Sequence, residues 1–470
     1  MFSPTINKLI SPIINVKGGK VIVKDKSKLA SKKWDELVWQ AVFGKEEDKQ
    51  SARWVIWETG QSLGIRPASI NELYMARGRE EVSLDFTVPA INLRGMAYDM
   101  ARAVFKVAKK LKVGALICEL ARSEMGYTDQ PPEEYVTVVL AAAVREGWKG
   151  PLFIQGDHFQ TKVAEPGVPK EGEIEAVKDL VKESIDAGFY NIDIDTSTLV
   201  DLDRETEKKQ QEPNIKHSLE IAKFVRSKEP KGITVSLGGE IGHIGGKNST
   251  VKDFVAYMEG FNAGLPPGKV GMSKISIQTG TSHGGVVLPD GSLADIDVDF
   301  GVLAEISKVA RKKYKIGGAV QHGASTLPDE FFSQFTKSQA VEVHLATGFQ
   351  NITMDHPKFP KKLLREMYAW LDKEKVDERK EDWTNEQFHY KLRKKAWGKF
   401  KKDCWQIDEG ARKEIRATLE KRFEFMFKQL NVVDTVGMVN KITKPFEVHK
   451  KISDFGQKNK KRKEVKGLAD

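Results

Sequence analysis

Three histidines in this sequence each lie just past the end of a predicted strand, where side chains from several strands can meet. They are His158 in FIQGDH, His283 in ISIQTGTSHGG and His322 in GGAVQHGAS, and Glu240 follows a fourth strand in TVSLGGEIG. Residues at the carboxyl ends of parallel strands converge when the strands close into a barrel. Three imidazoles at one point can bind zinc and leave one coordination position open. The pattern therefore predicts Lewis-acid catalysis on a carbonyl group.

A regular alternation of short apolar strands and helices supports this arrangement between residues 86 and 356. Such alternation implies a parallel sheet with right-handed crossovers. Eight units in roughly 270 residues match an α/β fold of the (β/α)₈ TIM-barrel type rather than an open sheet. The predicted strands are Val88–Asn92, Val113–Glu119, Leu152–Gln155, Tyr190–Asp195, Ile233–Gly238, Lys274–Thr279, Gly318–Gln321 and Val341–Leu345.

Two helical extensions flank the predicted barrel. Residues 1–85 form the N-terminal one, with amphipathic helices expected at Trp34–Phe43 and Ala52–Leu63. Residues 357–470 are charged and helical, carry several aromatic side chains and end in a basic tail. We expect these extensions to pack on the barrel or on a partner subunit.

Composition indicates a globular protein without a membrane span. Of the 470 residues 40% are hydrophobic and 30% charged, and no apolar run of the length of a membrane helix occurs. The N-terminus has no signal-peptide pattern. Cys118 and Cys404 are expected to be free thiols in a reducing cytoplasm.

The net charge of +10 comes in large part from lysines and an arginine between Lys458 and Lys466. One interpretation is contact with a polyanion such as nucleic acid. The alternative, a solvated terminus, is favoured because no aromatic residue interleaves the basic ones, so a stacking platform for single strands is absent.

Polar residues beside the histidines suggest further roles. Asp157 precedes His158 and could move a proton to or from a substrate hydroxyl. The glycines next to His283 and His322 would let backbone N–H groups approach a phosphate, with hydroxyl donors nearby. The alternative is that these glycines only permit positive φ in a turn.

The sequence resembles the class II, zinc-dependent fructose-bisphosphate aldolase family over residues 86–356. The resemblance rests on PAINLRG at the first strand, the pair Asp157-His158, AGFYNIDIDTS, GGEIG, GTSHGG and QHGAS. It implies a cytoplasmic lyase of glycolysis and gluconeogenesis that acts on a phosphorylated sugar. A homo-oligomer, either a dimer or a tetramer, is expected, whereas a membrane or nucleic-acid partner is not.

The resemblance also implies roles for individual residues. His158, His283 and His322 would bind one catalytic Zn²⁺, and Asp157 would act as acid/base on the carbon-4 hydroxyl. The resemblance also places Asp195 and Glu240 around a second position, for a divalent or monovalent cation. The residues implied to bind the substrate are Asn92, Ser123, Gly284, Gly323, Ser325 and Thr347.

Two segments depart from the family pattern. The loop after the fifth strand normally carries a glutamate for proton transfer, but here it contains Lys247 and no acid before Asp253. His243 or Asp253 could replace that acid, and Lys247 could contact a substrate anion or remain a solvated loop lysine. At the eighth strand, His344 begins a segment that is asparagine-led in the family.

The leading hypothesis is cleavage of fructose 1,6-bisphosphate to dihydroxyacetone phosphate and glyceraldehyde 3-phosphate. The alternatives are an aldolase for another phosphorylated ketose, such as tagatose 1,6-bisphosphate, or a non-catalytic barrel subunit. The intact histidine triad argues against a non-catalytic subunit, and the missing loop glutamate argues mildly for it.

Overall fold

The computed structural model describes residues 2–242, 247–280, 285, 287–290, 293–294 and 298–456. Within that part of the chain, eight parallel strands close into a barrel, which confirms the predicted (β/α)₈ fold. The pairing runs in sequence order around the barrel, and the eighth strand pairs with the first. We number them β1 Val88–Asn92, β2 Ile117–Ala121, β3 Pro151–Gln160, β4 Asn191–Asp195, β5 Ser236–Glu240, β6 Lys274–Ile277, β7 Ala319–Gln321 and β8 Glu342–Leu345.

Helices surround the barrel and follow its strands in sequence, as the predicted alternation requires. Long amphipathic helices supply the apolar faces that cover the sheet, because strands buried on both sides need a second layer. The helices of the barrel region are Ala97–Lys110, Arg122–Tyr127, Pro132–Glu146, Glu173–Ala187, Glu207–Lys228, Val251–Gly264, Phe300–Val309, Phe332–Lys337 and Thr347–Met354.

The extensions are mainly helical and share one hydrophobic core with the barrel. Trp397 covers Gly95 so closely that a Cβ there would lie 2.4 Å from the indole ring. The N-terminal extension contains helices Pro4–Ile10, Lys32–Phe43, Glu46–Leu63 and Asn71–Gly78, with short strands Ile14–Lys17, Lys20–Val23 and Arg66–Ala68. The C-terminal helices are Lys361–Glu374, Asn385–Leu392, Ala396–Lys399, Lys401–Trp405, Glu409–Gln429 and Val436–Ile442. In the described residues no helix is long and apolar enough to cross a membrane.

Most strand boundaries differ by a few residues from the sequence-based expectation; β5, for example, ends at Glu240 rather than at Gly238, so Glu240 lies within it. The shifts in β2 and β3 are the most informative. The second strand was expected from Val113 but begins at Ile117, because the backbone N–H groups of Gly114 and Ala115 donate to Thr435 Oγ1. The third strand runs on to Gln160, so Asp157 and His158 lie within it rather than after it.

The lower half of the barrel interior holds an ion cluster instead of a purely apolar core. Lys274 Nζ lies 2.9 Å from Asp193 Oδ1 and 2.5 Å from Glu342 Oε1, and it donates to Gln155 Oε1 at 2.7 Å. Tyr74 also donates its hydroxyl to Glu342. Although burial opposes ionisation, the Lys274 ammonium lowers the pKa of Glu342 to about 2. The negative charge of the buried carboxylates in this cluster is therefore balanced by the Lys274 ammonium, a cation that belongs to the chain itself.

Candidate metal centre and active site

A cavity of about 410 Å³ opens at the carboxyl ends of the barrel strands. This is the end at which TIM-barrel active sites are built. The described residues lining it are Asn92, Arg94, Glu119, Ala121, Glu124, Asp157, His158, His322, Gly323, Ser325, His344, Ala346 and Thr347.

A β-bulge places Asp157 and His158 at the cavity. The register between β3 and β4 shifts between Gly156 and Phe159, and His158 has a φ of +39°. Positive φ is uncommon for a residue with a side chain, and bulges next to active sites re-aim side chains. A Cβ on Gly156 would lie 2.3 Å from the Phe159 ring, so the bulge also requires glycine there. The sequence thus bends this strand where the candidate chemistry lies.

The imidazoles of His158 and His322 meet at this bulge. Their ring centroids are 4.3 Å apart, and His158 Nε2 and His322 Nδ1 each lie 3.9 Å from Asp157 Oδ1. One ligand atom from each of these three residues lies within 4.8 Å of the others. Two imidazoles beside a carboxylate suit a divalent cation such as zinc, which would still need a further ligand if Asp157 is left to move protons. His283 and Gly284, also expected here, lie outside the described residues.

Two carboxylates stand on the other side of His158. Its Nδ1 lies 3.2 Å from Asp195 Oδ2 and 3.1 Å from Glu240 Oε2. Burial, reinforced by the charge of Asp195, raises the pKa of Glu240 to about 8. Although burial disfavours an imidazolium, Asp157 and Glu240 raise the pKa of His158 well above its usual value. The same negative potential would favour a bound cation.

His344 connects this centre to the lower ion cluster. Its Nδ1 lies 2.9 Å from Glu119 Oε2 and 3.1 Å from Asp157 Oδ1, and its Nε2 lies 2.6 Å from Glu342 Oε1. The ring is also 4.0 Å from that of His322. Burial raises the pKa of Glu119 to about 8, despite the neighbouring imidazole. His344 therefore bears directly on the position of the Asp157 carboxylate.

The fructose-bisphosphate aldolase class-II family model matches residues 82–427. The chain belongs to this family. A search of curated protein sequences returns no match. The matched segment extends 71 residues past residue 356, into the C-terminal helices that pack on the barrel.

Solved structures with this fold share little sequence with the chain. A fructose-bisphosphate aldolase from Campylobacter jejuni is 16% identical, with a TM-score of 0.46, covering 78% of this chain and 95% of its own. A probable tagatose 6-phosphate kinase from Sinorhizobium meliloti is 13% identical, with a TM-score of 0.50 and coverages of 75% and 99%. A fructuronate–tagaturonate epimerase from Cohnella laeviribosi is 11% identical, with a TM-score of 0.51 and coverages of 74% and 82%. At these identities, the two structures with TM-scores of 0.50 and 0.51 indicate a shared fold and nothing more.

Of the four expected phosphate-binding residues, the three that the structure describes, Gly323, Ser325 and Thr347, line one wall of the cavity. Gly323 has a φ of +69°, and Ser325, in the short helical turn that follows it, accepts a hydrogen bond from the N–H of Gly348 at 3.0 Å. Thr347 lies beside Gly348, at the start of the helix after β8. The turns after β7 and β8 are thereby joined, and Asn92 at the end of β1 lines the same cavity.

Three other expected residues stand apart from this wall. Ser123 is buried at the start of helix Arg122–Tyr127 and is not among the described residues lining the cavity. Lys247 is exposed, next to residues 243–246, which include His243 and lie outside the described part of the chain. Asp253 caps helix Val251–Gly264, since its Oδ2 accepts from the Thr250 N–H at 2.9 Å and hydroxyl at 2.7 Å. This capping role explains an acid at that position without any catalytic function.

Sequence reasoning missed Glu119, Glu342 and Arg94 as parts of the site region. The signal for the first two was a single acid within an otherwise apolar strand, in ICEL and in VEVH. Fully buried carboxylates are rare unless they are paired, so such an acid predicts a partner inside the barrel. Arg94 gave a similar signal, as a cation directly after the first strand.

Proposed function

We propose that this protein is a metal-dependent aldolase that reversibly cleaves a ketose bisphosphate, with fructose 1,6-bisphosphate as the leading substrate. The products would be dihydroxyacetone phosphate and glyceraldehyde 3-phosphate. The observation that carries the proposal is the bulge that holds Asp157 and His158 against His322 in the cavity. Family membership supports the reaction class.

His158 and His322, with His283 as the expected third ligand, would hold the cation. A bound divalent cation supplies a Lewis acid that stabilises negative charge developing on a carbonyl oxygen. Asp195 and Glu240 keep the His158 ring oriented through its Nδ1, as outer partners of metal ligands do. The same two carboxylates, with His158, are candidates for a second cation position.

Asp157 would move the proton. As the bond between carbons 3 and 4 breaks, the carbon-4 hydroxyl would give its proton to Asp157 and become the aldehyde. The electron pair of the broken bond goes to the ketone fragment, which then takes up a proton at carbon 3. Gly323, Ser325 and Thr347, with Gly284, would hold one phosphate during this step, and Asn92 and Ser123 would complete the pocket. Exposed Lys247 would contact the anion from the loop, so Lys247→Ala should raise KM.

A coupled assay on fructose 1,6-bisphosphate, with and without a chelator, tests the proposal. The Asp157→Asn variant is nearly isosteric but cannot accept the proton, so we expect bound metal to be retained and turnover to fall about 10²–10⁴-fold. Asp253→Asn is the matched control, because its carboxylate caps a helix. Unchanged turnover in Asp157→Asn would remove Asp157 from the proton-transfer role.

The departure at His344 favours testing a second substrate beside the first. Because His344 contacts Asp157 at 3.1 Å, the surroundings of the proposed proton acceptor for the carbon-4 hydroxyl would differ from those in the asparagine-led family pattern. Tagatose 1,6-bisphosphate differs from fructose 1,6-bisphosphate in configuration at this carbon. A higher kcat/KM for the tagatose ester would assign it as the substrate. Metal-replete protein that cleaves neither ester would instead support a non-catalytic subunit.

A further inference from the structure

Arg94 is the only lysine or arginine among the described residues that line the cavity. It follows β1 by two positions, and it is only 2% exposed although it carries a full positive charge. Burying a guanidinium costs desolvation free energy unless the charge is paired, so the position of Arg94 needs an explanation. Neither the metal centre nor the proton transfer at Asp157 uses it.

Three side chains fix the orientation of this guanidinium. Nη1 donates to Glu124 Oε1 at 2.6 Å and to Tyr127 Oη at 3.2 Å, and Nη2 donates to Thr347 Oγ1 at 3.0 Å. Glu124 and Tyr127 belong to the helix after β2, whereas Thr347 begins the helix after β8. Arg94 is therefore held between two loops of the active-site end.

Glu124 also positions a neighbouring residue of the cavity. Its Oε2 accepts hydrogen bonds from the Asn92 side-chain amide and from the backbone N–H of Ala121 at 2.8 Å. The carboxylate charge is thus shared among Arg94 and two further donors. One acid orders both the amide and the guanidinium, as expected of a preformed polar site.

The contact with Thr347 places Arg94 at the proposed phosphate wall. The donors of that wall at Gly323, Ser325 and Thr347 are backbone N–H groups and hydroxyls, which carry no net charge. An arginine beside them adds a planar fork of N–H donors that matches phosphate and carboxylate oxygens.

From this geometry we infer that Arg94 is the charged, specificity-determining residue of the anion subsite, and that it binds the substrate's terminal phosphate. The inference rests on the proposed function for the identity of the anion. It adds a residue outside the turns after β7 and β8, whose donors at Gly323, Ser325 and Thr347 are neutral. The subsite then selects substrates with an anionic end over uncharged sugars.

Calorimetric titration of the zinc-loaded full chain with dihydroxyacetone phosphate and with uncharged dihydroxyacetone tests this inference. For Arg94→Gln we expect the affinity for the phosphate ester to fall about 10- to 100-fold, the range for hydrogen bonds to charged groups, and that for dihydroxyacetone to stay unchanged. Arg94→Lys keeps the charge without the fork and should show an intermediate loss. Arg102→Gln is the matched control, because it removes a guanidinium paired with Glu146 at 2.9 Å outside the cavity.

The outcomes separate this inference from the proposed function. If Arg94→Gln binds the phosphate ester as tightly as the parent does, the inference is wrong, even if the parent is shown to be an active aldolase. If the parent binds glycerate but not the phosphate ester, and Arg94→Gln no longer binds glycerate, the anion subsite is supported. The proposal of a phosphorylated substrate is then wrong. If circular dichroism shows that Arg94→Gln is unfolded, Arg94→Lys decides, and parent-like affinity in that variant overturns the role of the fork.

Discussion

The barrel interior contains two buried charged layers that are compensated in different ways. In the lower layer, Lys274 lies between Asp193 and Glu342 and supplies a permanent cation from the chain itself. In the upper layer, the carboxylates face imidazoles, such as His158 and His322, that can exchange a proton for a metal. A fixed ammonium stabilises a buried acid but cannot receive a substrate oxygen. The comparison leads us to expect that the lower layer stabilises the fold, whereas the upper layer is the proposed site of metal binding and catalysis.

The largest expected effect is in the upper layer. His322→Ala should lose bound zinc and aldol-cleavage activity together while the fold survives, because it removes one ligand but no part of the lower cluster. Elemental analysis and the coupled assay measure both quantities. His356→Ala is the matched control, since that imidazole contacts Thr418 outside the barrel. A His322→Ala protein with full zinc content would show that the ligand set is elsewhere.

The opposite result is expected from the lower layer. Lys274→Met leaves two buried carboxylates without their cation, so the free energy of unfolding should fall by about 3–5 kcal/mol. Chemical denaturation measures the loss. Lys182→Met, which breaks an exposed pair with Asp186, should cost about 0–1 kcal/mol. Parent-like stability of Lys274→Met would mean that the two layers do not differ as proposed.

A smaller effect should separate ligands from the residues that orient them. Glu240→Gln keeps the shape of the side chain but removes a charge 3.1 Å from His158 Nδ1. Loss of such an outer partner typically lowers metal affinity about 10- to 100-fold, which competition with a chromophoric chelator can measure. If affinity is unchanged, Glu240 does not orient His158, and Asp195 alone holds the ring.

The two layers also differ in how far the sequence predicts them. Strand-end histidines in a regular alternation identified the barrel and placed His158 and His322 correctly at one end of it. The lower cluster was not predicted. Lys274, Asp193 and Glu342 lie inside apolar strands, where periodicity indicates which face of the sheet a side chain is on but not which residue of another strand it contacts. Their pairing depends on β4, β6 and β8 facing one another across the closed barrel, a distance that sequence spacing does not encode.

The bulge was missed for a similar reason. The segment FIQGDH was interpreted as a strand that ends at Gln155, with Asp157 and His158 beyond its end. In the structure Gly156 instead admits the ring of Phe159, and the strand continues to Gln160. Because the Phe159 side chain that requires this glycine lies three residues further on, the local pattern did not indicate that the strand continues past Asp157 and His158.

The smallest expected effect is a difference in pH dependence between the layers of the metal-free protein. The pKa of Glu119 is raised to about 8 by burial, so protonated Glu119 contributes stability that is full below about pH 4.5 and is lost as pH rises through 8. Glu342, with its pKa lowered to about 2, is already ionised in both states near neutrality and adds no change there. Between pH 7 and 8 the chelated parent should lose up to about 1.4 kcal/mol more stability than Glu119→Gln, the limit for one proton. Thermal unfolding of both proteins at the two pH values measures this difference. Because the other titrating groups are present in both proteins, equal losses would show that Glu119 is already ionised in the folded protein at pH 7 and that burial does not hold its proton.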